Sequence, residues 1–186
     1  LCQALKDELE PNGIQLSCTI RLWQLARPCP PTDRGVLMLY NTGDIINEKT
    51  SNSILTLSDV ESYLTKATYG LPLDYAYPTF GWCVWFRNGE YMGIFHDLDL
   101  SDTTLYIATD NNLYTVLQDH SAEMRELVSG DRIRRETISF NELSQLDDLI
   151  RSKASSKDAS IILYHLDSKN LSNYTDDEIR QIYHHN

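Results

Sequence analysis

Residues 35–44 have the sequence GVLMLYNTGD, an apolar run that ends in a polar turn. The run lacks the polar alternation of a half-exposed strand, so it predicts a strand buried on both faces, as in a parallel sheet covered by helices. Tyr40, Asn41 and Asp44 lie at or just beyond the carboxyl end of this strand, where α/β folds have their ligand sites. The segment therefore predicts where a site lies, but not its chemistry.

Strand and helix signals alternate along the rest of the chain. Further strands are predicted at 14–25, 71–80 and 159–166. Three helices are predicted from capping boxes, in which a Ser or Thr precedes a Glu by three residues. The boxes are Ser58-x-x-Glu61, Ser139-x-x-Glu142 and Thr175-x-x-Glu178. Buried strands separated by capped helices predict βα units whose strands are parallel neighbours in chain order.

The segment between the third and fourth predicted strands has a different character. Residues 82–95, WCVWFRNGEYMGIF, predict a hairpin insertion that turns at Asn88-Gly89. Residues 97–135 are predicted to be irregular or to form a small β excursion. Their basic cluster at 131–135 is flanked by acids and predicts a solvated strand face rather than a phosphate site. We expect residues 1–186 to form a single domain.

The first predicted strand favours a barrel over an open sheet. Ser17, Thr19 and Arg21 line up on one of its faces. A helix-covered face does not tolerate such a polar row, whereas the interior of a (β/α)8 barrel near its mouth does. Because a barrel typically needs about 250 residues, we predict that this chain forms the C-terminal half of one. Leu1 already lies within an amphipathic helical pattern, which fits the later part of a longer protein.

The charge and the composition of the chain argue against several classes of binding partner and cofactor. The chain has 27 acidic and 16 basic residues and a net charge of -11, which opposes binding to nucleic acid or to anionic membranes. No apolar run approaches the roughly 20 residues of a transmembrane helix. The four cysteines form no CxxC pair, and there is no glycine-rich phosphate loop, GxSxG or HExxH motif. We therefore expect neither a metal nor a cofactor.

Several segments together resemble a known family. TIRLWQL, DRGVLMLYNTGD, NSIL, LPLDYAYPTFGW and SIILYHLD follow one another as in the C-terminal half of a family of uncharacterised bacterial barrel proteins, often envelope lipoproteins. The resemblance implies a location in the cell envelope or periplasm. It also implies an N-terminal half that completes the barrel and contains an acidic strand, the natural place for catalytic carboxylates.

A more distant resemblance concerns the opening segment itself. VLMLYNTGD is similar to the sixth strand of chitinase-like, family-eighteen glycoside hydrolases, with their Met-x-Tyr-Asp pattern. This resemblance implies that Met38 and Tyr40 point into the barrel. Asn41 stands where those enzymes have an aspartate, and their DxxDxDxE motif does not occur in this sequence.

The candidate site residues are aromatic or polar side chains close to the predicted strand ends. The ligand-binding candidates are Arg21, Trp23, Tyr40, Asn41, Trp82 and Tyr164, and the weak catalytic candidates are Asp44 and Asp74. We expect the ligand-binding set to line one cavity. For several of them a structural role is an equal alternative: an Arg21–Asp74 ion pair, a turn at Asn41, and cross-strand packing of Trp82.

Two functions are consistent with these residues. The first is a carbohydrate-active, glycoside-hydrolase-like barrel whose aromatic and polar mouth binds a glycan or small polar ligand. Hydrolysis of this kind needs two carboxylates, and the strand-end acids Asp44, Asp74 and Asp167 give no convincing pair. The second is a non-catalytic barrel that binds a ligand or a protein.

Overall fold

The structure is a computed structural model, which describes residues 1–66, 69–110, 112–153, 159–165 and 167–184. Ala67 and Leu166, which the sequence assigns to a helix face and to the last strand, lie outside these ranges. The chain divides into two compact units. The first unit comprises residues 1–42, 55–79 and the described residues from 139 onward, and the second comprises residues 43–54 and 80–138.

Strands and helices are numbered here in chain order. The strands are β1 (Ser17–Arg21), β2 (Arg34–Met38), β3 (Leu73–Pro78), β4 (Trp82–Arg87), β5 (Glu90–Phe95), β6 (Tyr106–Asp110), β7 (Leu113–Val116), β8 (His120–Ala122), β9 (Arg125–Leu127), β10 (Arg132–Glu136) and β11 (Ile161–Tyr164). The α-helices are α1 (Cys2–Leu9), α2 (Leu57–Lys66), α3 (Phe140–Lys153), α4 (Ser168–Leu171) and α5 (Asp176–His184). None of the described helices has the length and apolar character needed to cross a membrane.

The first unit is built on a parallel sheet of four strands in the order β1-β2-β3-β11. Its register aligns Thr19 with Val36 and Val36 with Asp74, and on the far side of β3 it aligns Ala76 with Ile162. The predicted order of parallel strands is therefore confirmed, and with it the α/β class.

The two faces of this sheet differ. On one face Leu37, Leu39 and Tyr77 are fully buried, and the Tyr77 hydroxyl donates to Asp147 of α3 over 2.9 Å. On the other face Val36, Met38 and Tyr40 are only half-buried. The prediction that this strand is buried on both faces is therefore wrong for one of the two faces. The described residues cover only the face that carries Leu37, Leu39 and Tyr77.

The first strand is shorter than predicted. It ends at Arg21, and residues 22–26 turn into a 3₁₀-helix. Leu22 and Leu25 are buried there, and the Arg21 backbone N–H donates to the Gln24 side chain over 2.8 Å. Two buried residues that are three positions apart fit a helical turn better than a strand. Trp23, which lies between them, is therefore beyond the end of β1.

Two of the three predicted capping boxes are confirmed. The Glu142 carboxylate accepts from the backbone and hydroxyl of Ser139 over 2.8 and 2.7 Å, and Glu178 does the same with Thr175. The predicted start of the helix after β2 is wrong by two residues. That helix begins at Leu57, so Ser58 lies inside it.

The second unit contains an antiparallel sheet of five strands in the order β5-β4-β10-β7-β6, and the β8-β9 pair. The predicted hairpin is confirmed, with Asn88 and Gly89 at φ of 52° and 80° in the turn. The predicted solvated face at 131–135 is wrong for Arg134, which is 1% exposed. β10 lies in the middle of the sheet, where Arg134 pairs with buried Glu136.

Candidate functional site

A cavity of about 120 Å³ lies in the first unit at the carboxyl ends of β1 and β2. It is smaller than the roughly 300–1,000 Å³ of a site that buries a drug-sized ligand, so it can hold one group of a larger ligand. Its lining combines aromatic, amide, hydroxyl and guanidinium groups. The lining residues are Arg21, Leu22, Trp23, Met38, Tyr40, Asn41, Thr42 and Tyr63.

The end of β1 forms one wall of the cavity. Arg21 is the last residue of the strand and is aligned with Met38 of β2. The 3₁₀-helix that follows is anchored by buried Leu22 and Leu25. Trp23 lies between these anchors, so its side chain points outward and remains 51% exposed. The local turn thus brings an arginine and a tryptophan to the same opening.

The chain after β2 forms the opposite wall. Leu39 is buried, and its N–H donates to the Ala76 carbonyl over 3.0 Å. Asn41 has a φ of +56°, a left-handed conformation that asparagine tolerates better than most residues. The Thr42 hydroxyl accepts from the Thr56 N–H over 2.6 Å. These bonds hold Tyr40 and Asn41 at the carboxyl end of the sheet.

Tyr40 stacks on Tyr164, which is the last residue of β11. The ring centroids are 5.0 Å apart and the planes differ by 9°. Burial raises the pKa of Tyr40, and the neighbouring Tyr164 adds to this rise, while Arg21 acts in the opposite direction. The Tyr40 phenol therefore stays protonated at neutral pH and can donate a hydrogen bond. Tyr164 is 45% exposed, which leaves part of its ring accessible.

Asp74 lies at the opposite end of the sheet from the cavity. Its carboxylate accepts two hydrogen bonds from Arg34, over 2.8 and 2.6 Å, and one from the Ser160 N–H over 2.7 Å. The hydrogen bond from Arg34 holds the pKa of Asp74 below its usual range. The alternative of an Arg21–Asp74 pair is therefore wrong, because Arg34 at the start of β2 is adjacent to Asp74 and Arg21 lies at the far end of β1.

The other two candidate acids also have structural partners. Asp44 belongs to the second unit, where its carboxylate accepts from the Ile46 N–H over 3.2 Å in a local turn. Asp167 precedes α4 and accepts from the N–H groups of Lys169 and Asn170. No described lining residue of the cavity is an acid.

Trp82 lies in the second unit. Its indole N–H donates to the Glu136 carboxylate over 2.8 Å, and its ring contacts Phe80 with centroids 5.4 Å apart. Trp85 is buried, and its indole N–H donates to Asp131. Both indole N–H groups are thus satisfied within that unit.

Tyr63, which is not among the predicted ligand-binding residues, also lines the cavity. It lies on α2 and is 39% exposed. Helical periodicity groups it with buried Val60, three residues earlier, and cannot show that the turn around Asn41 leaves an opening beside it. Within the described part of the chain, no three His, Cys, Asp or Glu side chains are grouped to hold a metal ion.

The fold is similar to that of known chitinase-like barrels. A chitinase from Chromobacterium violaceum superposes with a TM-score of 0.55 at 13% identity, over 98% of this chain and 60% of the chitinase. The spore cortex-lytic enzyme SleL from Bacillus cereus superposes with a TM-score of 0.50 at 13% identity, over 93% of this chain and 44% of the enzyme. At such identities the likeness shows the fold alone.

The chain thus spans about 60% of the chitinase and 44% of SleL. No model of a known protein family matches the sequence, and no curated protein matches it. The resemblance to the chitinase-like enzymes, first suggested by residues 36–44, is therefore supported at the level of the barrel fold. The envelope lipoprotein resemblance remains a prediction.

Proposed function

We propose that this chain contributes a glycan-binding surface to a carbohydrate-active, glycoside-hydrolase-like barrel. The observation that carries the proposal is the cavity at the carboxyl ends of β1 and β2, where Arg21, Trp23, Tyr40 and Asn41 come together. The carboxyl ends of the strands are where barrels of this type have their functional sites.

The lining suits a polyhydroxylated ligand. The half-exposed ring of Trp23 offers an apolar face of the kind that packs against a sugar ring. The Asn41 amide and the Tyr40 hydroxyl offer hydrogen bonds to ligand hydroxyl groups. Tyr164 remains a further candidate for contact with this ligand, and Trp82 remains a candidate ligand-binding residue of the second unit.

Hydrolysis of a glycosidic bond would require carboxylates other than the three strand-end candidates. Glycosidases use two carboxylates about 5–9.5 Å apart, whereas Asp44, Asp74 and Asp167 are each occupied by local hydrogen bonds. We propose that any catalytic acids belong to a preceding barrel segment. The same observation favours the second candidate function, a non-catalytic barrel that binds a ligand or a protein partner.

We further propose that an N-terminal half, on the same or another chain, completes the barrel. Within the described residues, β1 and β11 each have a neighbouring strand on one side only. Exposed strand edges invite pairing, and Ile162 and Tyr164 are 39% and 45% exposed on the open face. A segment of further βα units would pair both edges and cover this face.

The test is glycan binding and reducing-sugar release by the full-length protein and its Tyr40→Ala variant. Tyr183→Ala is the matched control, because this tyrosine is 49% exposed on α5 and does not line the cavity. We expect Tyr40→Ala to weaken glycan binding at least tenfold and the control to leave it unchanged. Sugar release would support the hydrolase, and binding without release would support the non-catalytic barrel. Absence of binding by the wild-type protein would refute the proposal.

A further inference from the structure

Arg21 is the one charged residue among the described residues that line the cavity. Its guanidinium donates no hydrogen bond and forms no ion pair to another described residue. Three other arginines behave differently. Arg34, Arg87 and Arg151 each bind a carboxylate at 2.6–2.8 Å. In a chain of net charge -11, Arg21 is thus a cation at a cavity with no counterion among the described residues.

The groups around Arg21 favour a ligand that accepts hydrogen bonds. The Asn41 amide and the Tyr40 phenol, which belong to lining residues, are both groups that donate hydrogen bonds. Among the described lining residues, no carboxylate competes for the guanidinium. A planar guanidinium matches a carboxylate with two parallel hydrogen bonds, which are stronger than those to a neutral oxygen. The lining is therefore complementary to a carboxylate.

We infer that the cavity binds the carboxylate of an acidic sugar, held by the guanidinium of Arg21 with the sugar ring against Trp23. This inference rests on the proposed function, because it specifies the glycan for the same site. The volume of about 120 Å³ accommodates a substituent of a sugar rather than a chain of sugars. The net charge of -11 repels polyanions, so the acid belongs to a glycan that is otherwise largely neutral.

The test compares each acidic sugar with its neutral counterpart. Calorimetry on the full-length protein would measure binding of methyl glucuronide against methyl glucoside, and of N-acetylmuramic acid against N-acetylglucosamine. We expect the acidic sugar to bind at least tenfold more tightly in one of the two pairs. The pair that shows the difference identifies the source of the carboxylate, a uronic acid or a lactyl ether.

Variants assign the effect to one side chain. Arg21→Gln should abolish the preference for the acidic sugar, so that the acidic sugar and its neutral counterpart bind with similar affinity. Arg27→Gln is the matched control, because it removes the same charge from an exposed arginine just beyond the 3₁₀-helix. Arg21→Lys keeps the charge without the planar fork and should retain part of the preference. Thermal unfolding shows whether each variant is folded.

The outcomes separate this inference from the proposed function. Equal binding of acidic and neutral sugars by the wild-type protein overturns the inference and leaves glycan binding intact. Binding of neither sugar overturns both. If Arg21→Gln does not fold, the salt dependence of the wild-type protein decides. A preference that falls between 0.05 and 0.5 M salt supports a partly exposed ion pair, and one that is independent of salt overturns it.

Discussion

Tyr40 and Tyr164 stack with ring centroids 5.0 Å apart, although their strands are not neighbours in the sheet. Tyr164 ends β11, where it is aligned with Pro78 of β3, and Tyr40 follows the end of β2. The stack therefore spans β3 at the carboxyl end of the sheet. The ring of Tyr164 supports the ring of Tyr40, which lines the cavity. Tyr164 is not itself a lining residue, but it contributes to the position of Tyr40.

Tyr164→Ala should weaken glycan binding several-fold, because it removes the ring that supports Tyr40. We expect a loss of about 0.5–1.5 kcal/mol in the free energy of unfolding, the range of an aromatic pair. Tyr40→Phe keeps both rings and should retain the stability. Urea unfolding and calorimetry on the same samples would measure the two effects. A Tyr164→Ala variant that binds glycan like the wild type would show that the stack does not support the site.

Asp74→Asn should destabilise the protein at neutral pH by about 1–3 kcal/mol, the range of hydrogen bonds to charged groups. The pKa of Asp74 is lowered in the folded state by Arg34. Its contribution is therefore present above the unfolded pKa, about 3.9, and is lost as the pH falls through the folded value. Urea unfolding at pH 7 and pH 2.5 should show a larger difference from the wild type at pH 7 than at pH 2.5. Asp177→Asn, at a side chain 83% exposed, should change little at either pH.

Glu136→Gln should destabilise the second unit strongly. The buried carboxylate accepts from the N–H and hydroxyl of Ser53 over 2.9 and 2.7 Å, from Trp82 over 2.8 Å and from Arg134 over 2.6 Å. A neutral amide leaves the buried charge of Arg134 without its partner, which costs about 3–5 kcal/mol. Chemical unfolding followed by tryptophan fluorescence measures this loss. The exposed control Glu90→Gln should lie within about 0.5 kcal/mol of the wild type.

Gly35→Ala should destabilise the first unit by about 1–3 kcal/mol through overpacking. A Cβ atom at this position would lie 2.9 Å from both Ile20 and Leu73, so the side chains of the neighbouring strands must move. Gly70→Ala is the control, because nothing lies within 4 Å of the added methyl group. Thermal unfolding of both variants tests the difference. Equal melting temperatures would mean that the neighbouring side chains move without cost.

The order of the parallel strands could be predicted from local patterns in the sequence. Apolar runs such as residues 35–39, the capping boxes at Ser139 and Thr175, and the turn at Asn88-Gly89 each act over a few residues. Such signals are local in the chain, and the right-handed βα connection limits the ways in which the strands can be combined. They therefore predict the α/β class and direct attention to the carboxyl end of β2, where the structure has a cavity.

Only the tertiary structure decided the partners of the charged residues and the shape of the cavity. Asp74 pairs with Arg34 rather than Arg21, because strand register sets which side chains are adjacent. Arg134 is buried rather than solvated, because β10 lies in the middle of its sheet. Strand register and the order of strands in a sheet bring together residues that are far apart in the chain. Local residue patterns do not encode these contacts.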